Sequence, residues 1–124
     1  MAYSRRLRKS FPQQMTVVLG MHRSGTSALT GLLGNLGISG PLDPLGATKN
    51  NLLGYWESTS LVTSSDRFLA SQNSHWSQLY HWSFGWWKSA AALDWIDSYW
   101  HDLQNAYNTN EHFVLKDPRL CILF

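Results

Sequence analysis

The sequence predicts an α/β fold in which a parallel sheet is flanked by helices. Two short apolar runs rich in β-forming residues, at 15–19 and 113–115, are typical of strands, and each leads into a helical pattern. Sequence with helical periodicity separates the two runs. Strands that alternate with helices in this way indicate a parallel sheet.

The first predicted unit is a strand, a glycine-bearing turn and a helix. We expect a buried strand over 15–19 and a polar turn over 20–27. A helix then begins near Thr26, and Gly37 stands where the glycine after a helix end is expected. Apolar residues of this helix fall on one stripe, which contains Ala28, Leu29, Leu32, Leu33 and Leu36.

Two further helices and an unfinished one complete the predicted elements. Ser58 or Thr59 can cap a helix that runs to about residue 71. Apolar side chains recur at spacings of three and four over 89–107. After the second strand, Asp followed by Pro at 117–118 has the residue types of a helix start.

We expect the domain to be incomplete. Two strands make a small parallel sheet, because such sheets need several neighbours and cover on both faces. The apolar run at 120–124 follows directly on the last helix start and lacks a partner surface in the sequence. The predicted division is a basic tail over 1–14 and a partial domain over 15–124.

Composition narrows the class of protein. Apolar residues make up 44% and charged residues 15% of the chain, as in a globular domain. A net charge of +2 is too small to suggest a nucleic-acid partner, and the single cysteine, Cys121, cannot form an intramolecular disulfide. No apolar run reaches the roughly 18 residues that span a bilayer. We therefore expect a soluble, cytoplasmic protein.

The turn over 20–27, Gly-Met-His-Arg-Ser-Gly-Thr-Ser, carries the most specific signal. Its spacing is that of a P-loop, between a strand and a helix as that motif requires. Glycines at both ends permit close approach of the backbone, and N–H groups that open the helix point at an anion. A glycine-rich turn without a ligand is the alternative. The predicted anion-binding residues are Gly20, Met21, His22, Arg23, Ser24, Gly25, Thr26 and Ser27.

Thr26 distinguishes this turn from that of a nucleotide triphosphatase. Such enzymes have a lysine at this position, which reaches the β- and γ-phosphates. A shorter anion such as a phosphosulfate suits a loop without that lysine better than a triphosphate does. A P-loop kinase and an inactive anion-binding remnant remain as alternative functions.

Three segments together resemble one family. Residues 18–27, Val-Leu-Gly-Met-His-Arg-Ser-Gly-Thr-Ser, are similar to the 5′-phosphosulfate-binding loop of sulfotransferases that use PAPS (3′-phosphoadenosine 5′-phosphosulfate), in the branch with R-S-G-T-[ST]. Residues 54–57, Gly-Tyr-Trp-Glu, and 115–120, Leu-Lys-Asp-Pro-Arg-Leu, resemble later stretches of that branch. The resemblance implies the N-terminal portion of a sulfotransferase fold, with PAPS as donor, no metal, and a hydroxyl or amine as acceptor.

The resemblance also implies roles for particular residues. The loop over 20–27 would hold the 5′-phosphosulfate, and Lys116 would approach the sulfuryl group from the end of the second strand. Glu57 is the candidate base, because its aromatic neighbours would exclude water and raise its pKa. The 3′-phosphate site, an Arg and a Ser on a later strand and helix, would lie beyond Phe124.

Structural interpretations compete with these roles. Glu57 can be an ordinary acidic residue favoured near a helix start, and Lys116 can be an exposed lysine at a strand end. Asp117 is better explained as a helix cap than as a reacting group. Arg119 can reach the same crevice, and a pair with Asp117 or Asp66 is the alternative.

Aromatic residues concentrate at 72–88. Aromatic faces stack on sugars, so a carbohydrate acceptor is one interpretation, and packing in a helical subdomain is the other. His75 and His81 have no partner cysteine, so no metal site is expected. The aromatic residues concerned are Trp76, Tyr80, Trp82, Phe84, Trp86 and Trp87.

Overall fold

The computed structural model describes residues 14–78, 82, 84–107 and 111–123. The predicted basic tail, except for Gln14, lies outside the described residues, as do Tyr80, His81 and Phe124. The described part is a mixed α/β structure with a two-stranded parallel sheet and flanking helices, which confirms the coarse fold prediction. None of the helices formed by these residues has the length and apolar character that a membrane crossing requires.

Within the described residues, two strands and four α-helices follow one another in the predicted order. The bounds of the longer elements agree with the prediction to within one residue, whereas the last helix begins three residues after the predicted cap. The elements are β1 (Met15–Val18), α1 (Thr26–Asn35), α2 (Thr59–Ser71), a 3-10 turn (Trp86–Lys88), α3 (Ala90–Tyr107), β2 (Phe113–Lys116) and α4 (Leu120–Leu123).

The two strands differ in burial. They run parallel in one register, with Met15 opposite Phe113 and Val18 opposite Lys116. All four residues of β2 are buried. On the side away from β1, Ser39 pairs with β2: its N–H donates to the His112 carbonyl and its own carbonyl accepts from the Val114 N–H. In β1 only Val18 is buried. The prediction of a buried first strand was therefore wrong for most of its length.

The main core lies where α2 and α3 pack against β2. Phe113 is fully buried, and its ring lies 4.3 Å from that of Tyr107 between centroids. Leu61 supplies the contact from α2. The other buried members of this cluster are Tyr99, Leu103, Ala106, Leu115 and Leu120.

Part of the aromatic segment belongs to a second cluster. Trp82 and Trp86 pack against Phe68 of α2, with ring centroids 6.3 and 5.7 Å away. This confirms the packing interpretation for those two tryptophans. Phe84, by contrast, is 99% exposed, and Trp87 is also exposed.

Helix α2 begins where the sequence predicts. Ser58 has the extended backbone of an N-cap, and its Oγ accepts the Leu61 N–H at 3.3 Å. The Asp43 carboxylate accepts the Ser60 N–H at 2.8 Å, which satisfies a second amide of the first turn. The residue before this cap is Glu57, so the capping bonds also fix the position of the candidate base.

Helix α1 is covered mainly on the face that carries its small residues. Gly31 and Gly34 contact the Trp56 ring, and Thr30 is fully buried. Leu29, Leu32 and Leu36 of the apolar stripe are 49%, 57% and 72% exposed.

Candidate functional site

The glycine turn connects β1 to α1 and is tightly folded. A Cβ atom on Gly20 would lie 2.5 Å from Thr26 Cγ2 and 2.8 Å from Ser24 Oγ, so a side chain there would force the Thr26 or Ser24 side chain to move. Gly25 has a φ of 86°, in the left-handed region that favours glycine. As the N-cap residue it offers no side-chain acceptor to the first amides of α1. Those N–H groups are therefore suited to an external anion.

A cleft of about 760 Å³ opens beside this turn. It brings together residues from distant parts of the chain, since the loop, the 54–57 segment and the end of β2 all contribute to its walls. Of the predicted site residues, the cleft is lined by His22, Arg23, Gly25, Thr26, Ser27, Glu57 and Lys116. Gly20, Met21 and Ser24 are not among its lining residues.

Lys116 reaches from the end of β2 to the glycine turn. Its Nζ donates to Ser27 Oγ at 3.2 Å, to the Tyr55 carbonyl at 3.1 Å and to Glu57 Oε1. The side chain is 3% exposed. The interpretation of Lys116 as an exposed strand-end lysine was therefore wrong.

Glu57 lies between two cations. Oε1 accepts from Lys116, and Oε2 accepts from Arg119 Nη1 at 3.4 Å. Burial raises the pKa of Glu57, and its hydrogen bond to Lys116 opposes that rise. The predicted direction of the pKa shift is confirmed.

Arg119 is the centre of a buried network of charges. Its Nε and Nη2 donate to the two carboxylate oxygens of Asp66 on α2, the latter at 3.1 Å, and its Nη1 also donates to Asp117 Oδ1 at 3.2 Å. Both pairings considered for Arg119 are thus present together.

Asp117 organises the turn that leads into α4. Its Oδ1 accepts the Arg119 N–H at 3.0 Å, and its Oδ2 accepts from Ser65 Oγ at 2.9 Å. The carboxylate is 1% exposed, and burial raises its pKa. These contacts favour the structural interpretation of Asp117. The hydrogen bond between Ser65 and Asp117 was not predicted, because neither residue has a local sequence pattern that indicates the other.

The 54–57 segment turns sharply around Trp56. Both Gly54 and Trp56 have left-handed backbones, with φ of 84° and 59°, which is uncommon for a tryptophan. The indole lies against α1, where Cβ atoms on Gly31 and Gly34 would be 3.2 and 3.1 Å from it. This turn directs the carbonyl before Trp56 and the carboxylate after it to the same ammonium group. Sequence reasoning missed this role of Trp56, although two glycines three apart on one helix were the available signal.

His22 lies on the side of the loop that faces the aromatic segment. Its ring centroid is 4.0 Å from that of Trp76. Burial, together with the positive charges of Arg119 and Lys116, lowers the pKa of His22 to about 4, while Asp66 acts in the opposite direction. The imidazole is therefore uncharged at neutral pH. The contact with Trp76 was not predicted from the sequence.

In the part of the chain that is described, no three His, Cys, Asp or Glu side chains come together as a metal site requires. The chain matches no protein-family model, no curated protein and no solved structure in the three comparisons. Its function is therefore inferred from the residues of the cleft.

Proposed function

We propose that this cleft binds the 5′-phosphosulfate of PAPS and that the chain is the donor-binding part of a P-loop-like sulfotransferase. The observation that carries the proposal is the hydrogen bond from Lys116 Nζ to the hydroxyl of Ser27, a residue 89 positions earlier in the chain. A lysine and the opening residues of a helix thereby line one cleft. The combination suits a short anion chain that lies between the helix start and a neighbouring cation.

The donor set favours a phosphosulfate over a triphosphate. The first amides of α1, the hydroxyls of Thr26 and Ser27, and the exposed Arg23 guanidinium would hold the 5′-phosphate. Thr26 stands where a triphosphatase has the lysine for the β- and γ-phosphates. In this proposal Lys116, which comes from another strand, supplies positive charge at the sulfuryl group instead.

The reaction would be an in-line displacement at sulfur. The acceptor oxygen or nitrogen forms a bond to sulfur while the bond from sulfur to the 5′-phosphate oxygen breaks, and PAP (3′-phosphoadenosine 5′-phosphate) leaves with that electron pair. Lys116 stabilises the charge that develops on the bridging oxygen. Glu57 accepts the acceptor's proton, and its raised pKa suits that task.

Calorimetric titration of the chain with PAP and with ATP tests this proposal. We expect PAP to bind more tightly than ATP, and we expect Arg23→Ala to weaken PAP binding by about tenfold or more, since it removes charge-assisted hydrogen bonds. Glu57→Gln should leave PAP affinity unchanged and lower the rate of transfer from PAPS. Arg67→Ala is the matched control, because Arg67 is exposed on α2.

Two results would contradict the proposal. Equal PAP affinities for Arg23→Ala and Arg67→Ala would remove the loop from the binding site. Tighter binding of ATP than of PAP would favour a phosphotransferase.

A further inference from the structure

Lys116 has no free ammonium proton in this structure. Its three N–H groups are matched by three acceptors, Ser27 Oγ, the Tyr55 carbonyl and the Glu57 carboxylate. A sulfuryl group can therefore be contacted by Lys116 only if one of these acceptors is released. Ser27 Oγ and the Tyr55 carbonyl also bond to each other, at 3.3 Å. Release of either would leave Glu57 Oε1 bonded to Lys116 and unable to accept a proton, so Glu57 is the acceptor whose release serves the reaction.

Glu57 is the acceptor that keeps a charged partner after release. Its Oε2 already accepts from Arg119 Nη1 at 3.4 Å, so the carboxylate stays paired when Oε1 loses Lys116. A buried carboxylate left without a cation would be strongly destabilising. The pairing of Glu57 with Arg119 therefore sets the energetic cost of moving the Lys116 ammonium from Glu57 to a ligand.

Arg119 is itself held from two other directions. Asp66 of α2 contacts the guanidinium at Nε and Nη2, and Asp117 contacts it at Nη1. The Arg119 side chain is 8% exposed, whereas that of Asp66 is 43% exposed. The charged groups around Glu57 are thus Lys116 from β2 and Arg119 and Asp117 from the turn before α4, with Asp66 behind Arg119.

We propose that Arg119 is a positioning residue for sulfuryl transfer, which holds Glu57 by Oε2 while Lys116 exchanges Oε1 for the sulfuryl group of the donor. The inference rests on the proposed function. The exchange frees Oε1 to accept the proton of the acceptor. That proton moves to Oε1 as the bond from the acceptor to sulfur forms and PAP departs with the electrons of the broken sulfur–oxygen bond.

The affinities of PAPS and PAP, measured on the same variants, test the exchange. PAP lacks the sulfuryl group, so the ratio of the two affinities reports on contacts to that group, which this inference assigns to Lys116. We expect Arg119→Gln to weaken PAPS binding about tenfold and PAP binding less than about twofold, because Glu57 would lose the second of its two cationic partners among the described residues. The matched control is Arg67→Gln, at an exposed position of α2, which should leave both affinities unchanged.

A second substitution distinguishes positioning from loss of packing. Glu57→Gln in the Arg119→Gln background removes the carboxylate that would be left unpaired, so PAPS affinity should return to within about threefold of the starting value. Should Arg119→Gln fail to fold, Asp66→Asn decides the matter. The substitution removes the negative charge that holds the Arg119 guanidinium, and Asp66 itself is half-exposed. It should lower the PAPS-to-PAP affinity ratio by about threefold.

The results separate this inference from the proposed function. A starting chain that binds neither PAP nor PAPS would overturn both. A chain that binds both ligands, with Arg119→Gln or Asp66→Asn weakening PAPS and PAP equally, would overturn the role of Arg119 alone. A folded Arg119→Gln, Glu57→Gln double variant without recovered PAPS affinity would do the same.

Discussion

We expect Phe113→Ala to lower the free energy of unfolding by about 4 kcal/mol, because the substitution opens a cavity at the centre of the main core. Phe113 is fully buried, and its ring lies against that of Tyr107. Urea unfolding followed by circular dichroism measures the effect. The matched control is Phe84→Ala, which removes a 99% exposed ring and should change stability by less than about 0.5 kcal/mol.

This prediction concerns the site as well as the core. Phe113 and Lys116 are the two ends of β2, and β2 pairs with β1 directly before the glycine turn. Loss of packing at Phe113 should therefore also disturb the hydrogen bond between Lys116 and Ser27 at the other end of the strand. Similar stability losses for Phe113→Ala and Phe84→Ala would show that the core is not centred on β2.

The second large effect is expected from Lys116→Met. The substitution would leave the Glu57 carboxylate, which is 4% exposed, with Arg119 as its remaining cation, at the longer distance of 3.4 Å. Removal of one partner of a buried ion pair is strongly destabilising, and we expect a loss of about 3 kcal/mol. Urea unfolding at pH 7 measures it, and Lys88→Met, at an exposed position, is the control.

A double variant checks the physical reason for this loss. Lys116→Met together with Glu57→Gln removes both charges, so at least half of the lost stability should return. If the two substitutions simply added their separate losses, Lys116 and Glu57 would not be energetically coupled, and the buried ion pair would not be the cause.

The features that the sequence predicts well are local. Ser58 caps α2 because its hydroxyl reaches an amide three residues later, so the signal and the structure lie in the same few residues. Gly25 has a left-handed backbone directly before α1, where the sequence places the boundary between the turn and the helix. The same holds for Gly37, whose φ of 91° follows the end of α1.

The features that the sequence does not predict depend on partners far along the chain. Periodicity identifies Leu29 and Leu32 as members of one apolar stripe of α1. The stripe can be buried only if another element covers it, and in the described part of the chain both leucines remain exposed. The charged partners of Glu57 come from β2 and from the turn after it, 59 and 62 positions later. No spacing rule connects such residues, because the packing of α2 on β2 brings them together.

The most direct test of the account is the change in backbone amide chemical shifts of the ¹⁵N-labelled chain when PAP is added. We predict that the largest changes fall on Gly25, Thr26 and Ser27, since their N–H groups would enclose the 5′-phosphate. Asp94, on an exposed part of α3, should hardly change. A folded chain in which PAP leaves the amides of 20–27 unchanged, or shifts only residues remote from the cleft, would contradict the account.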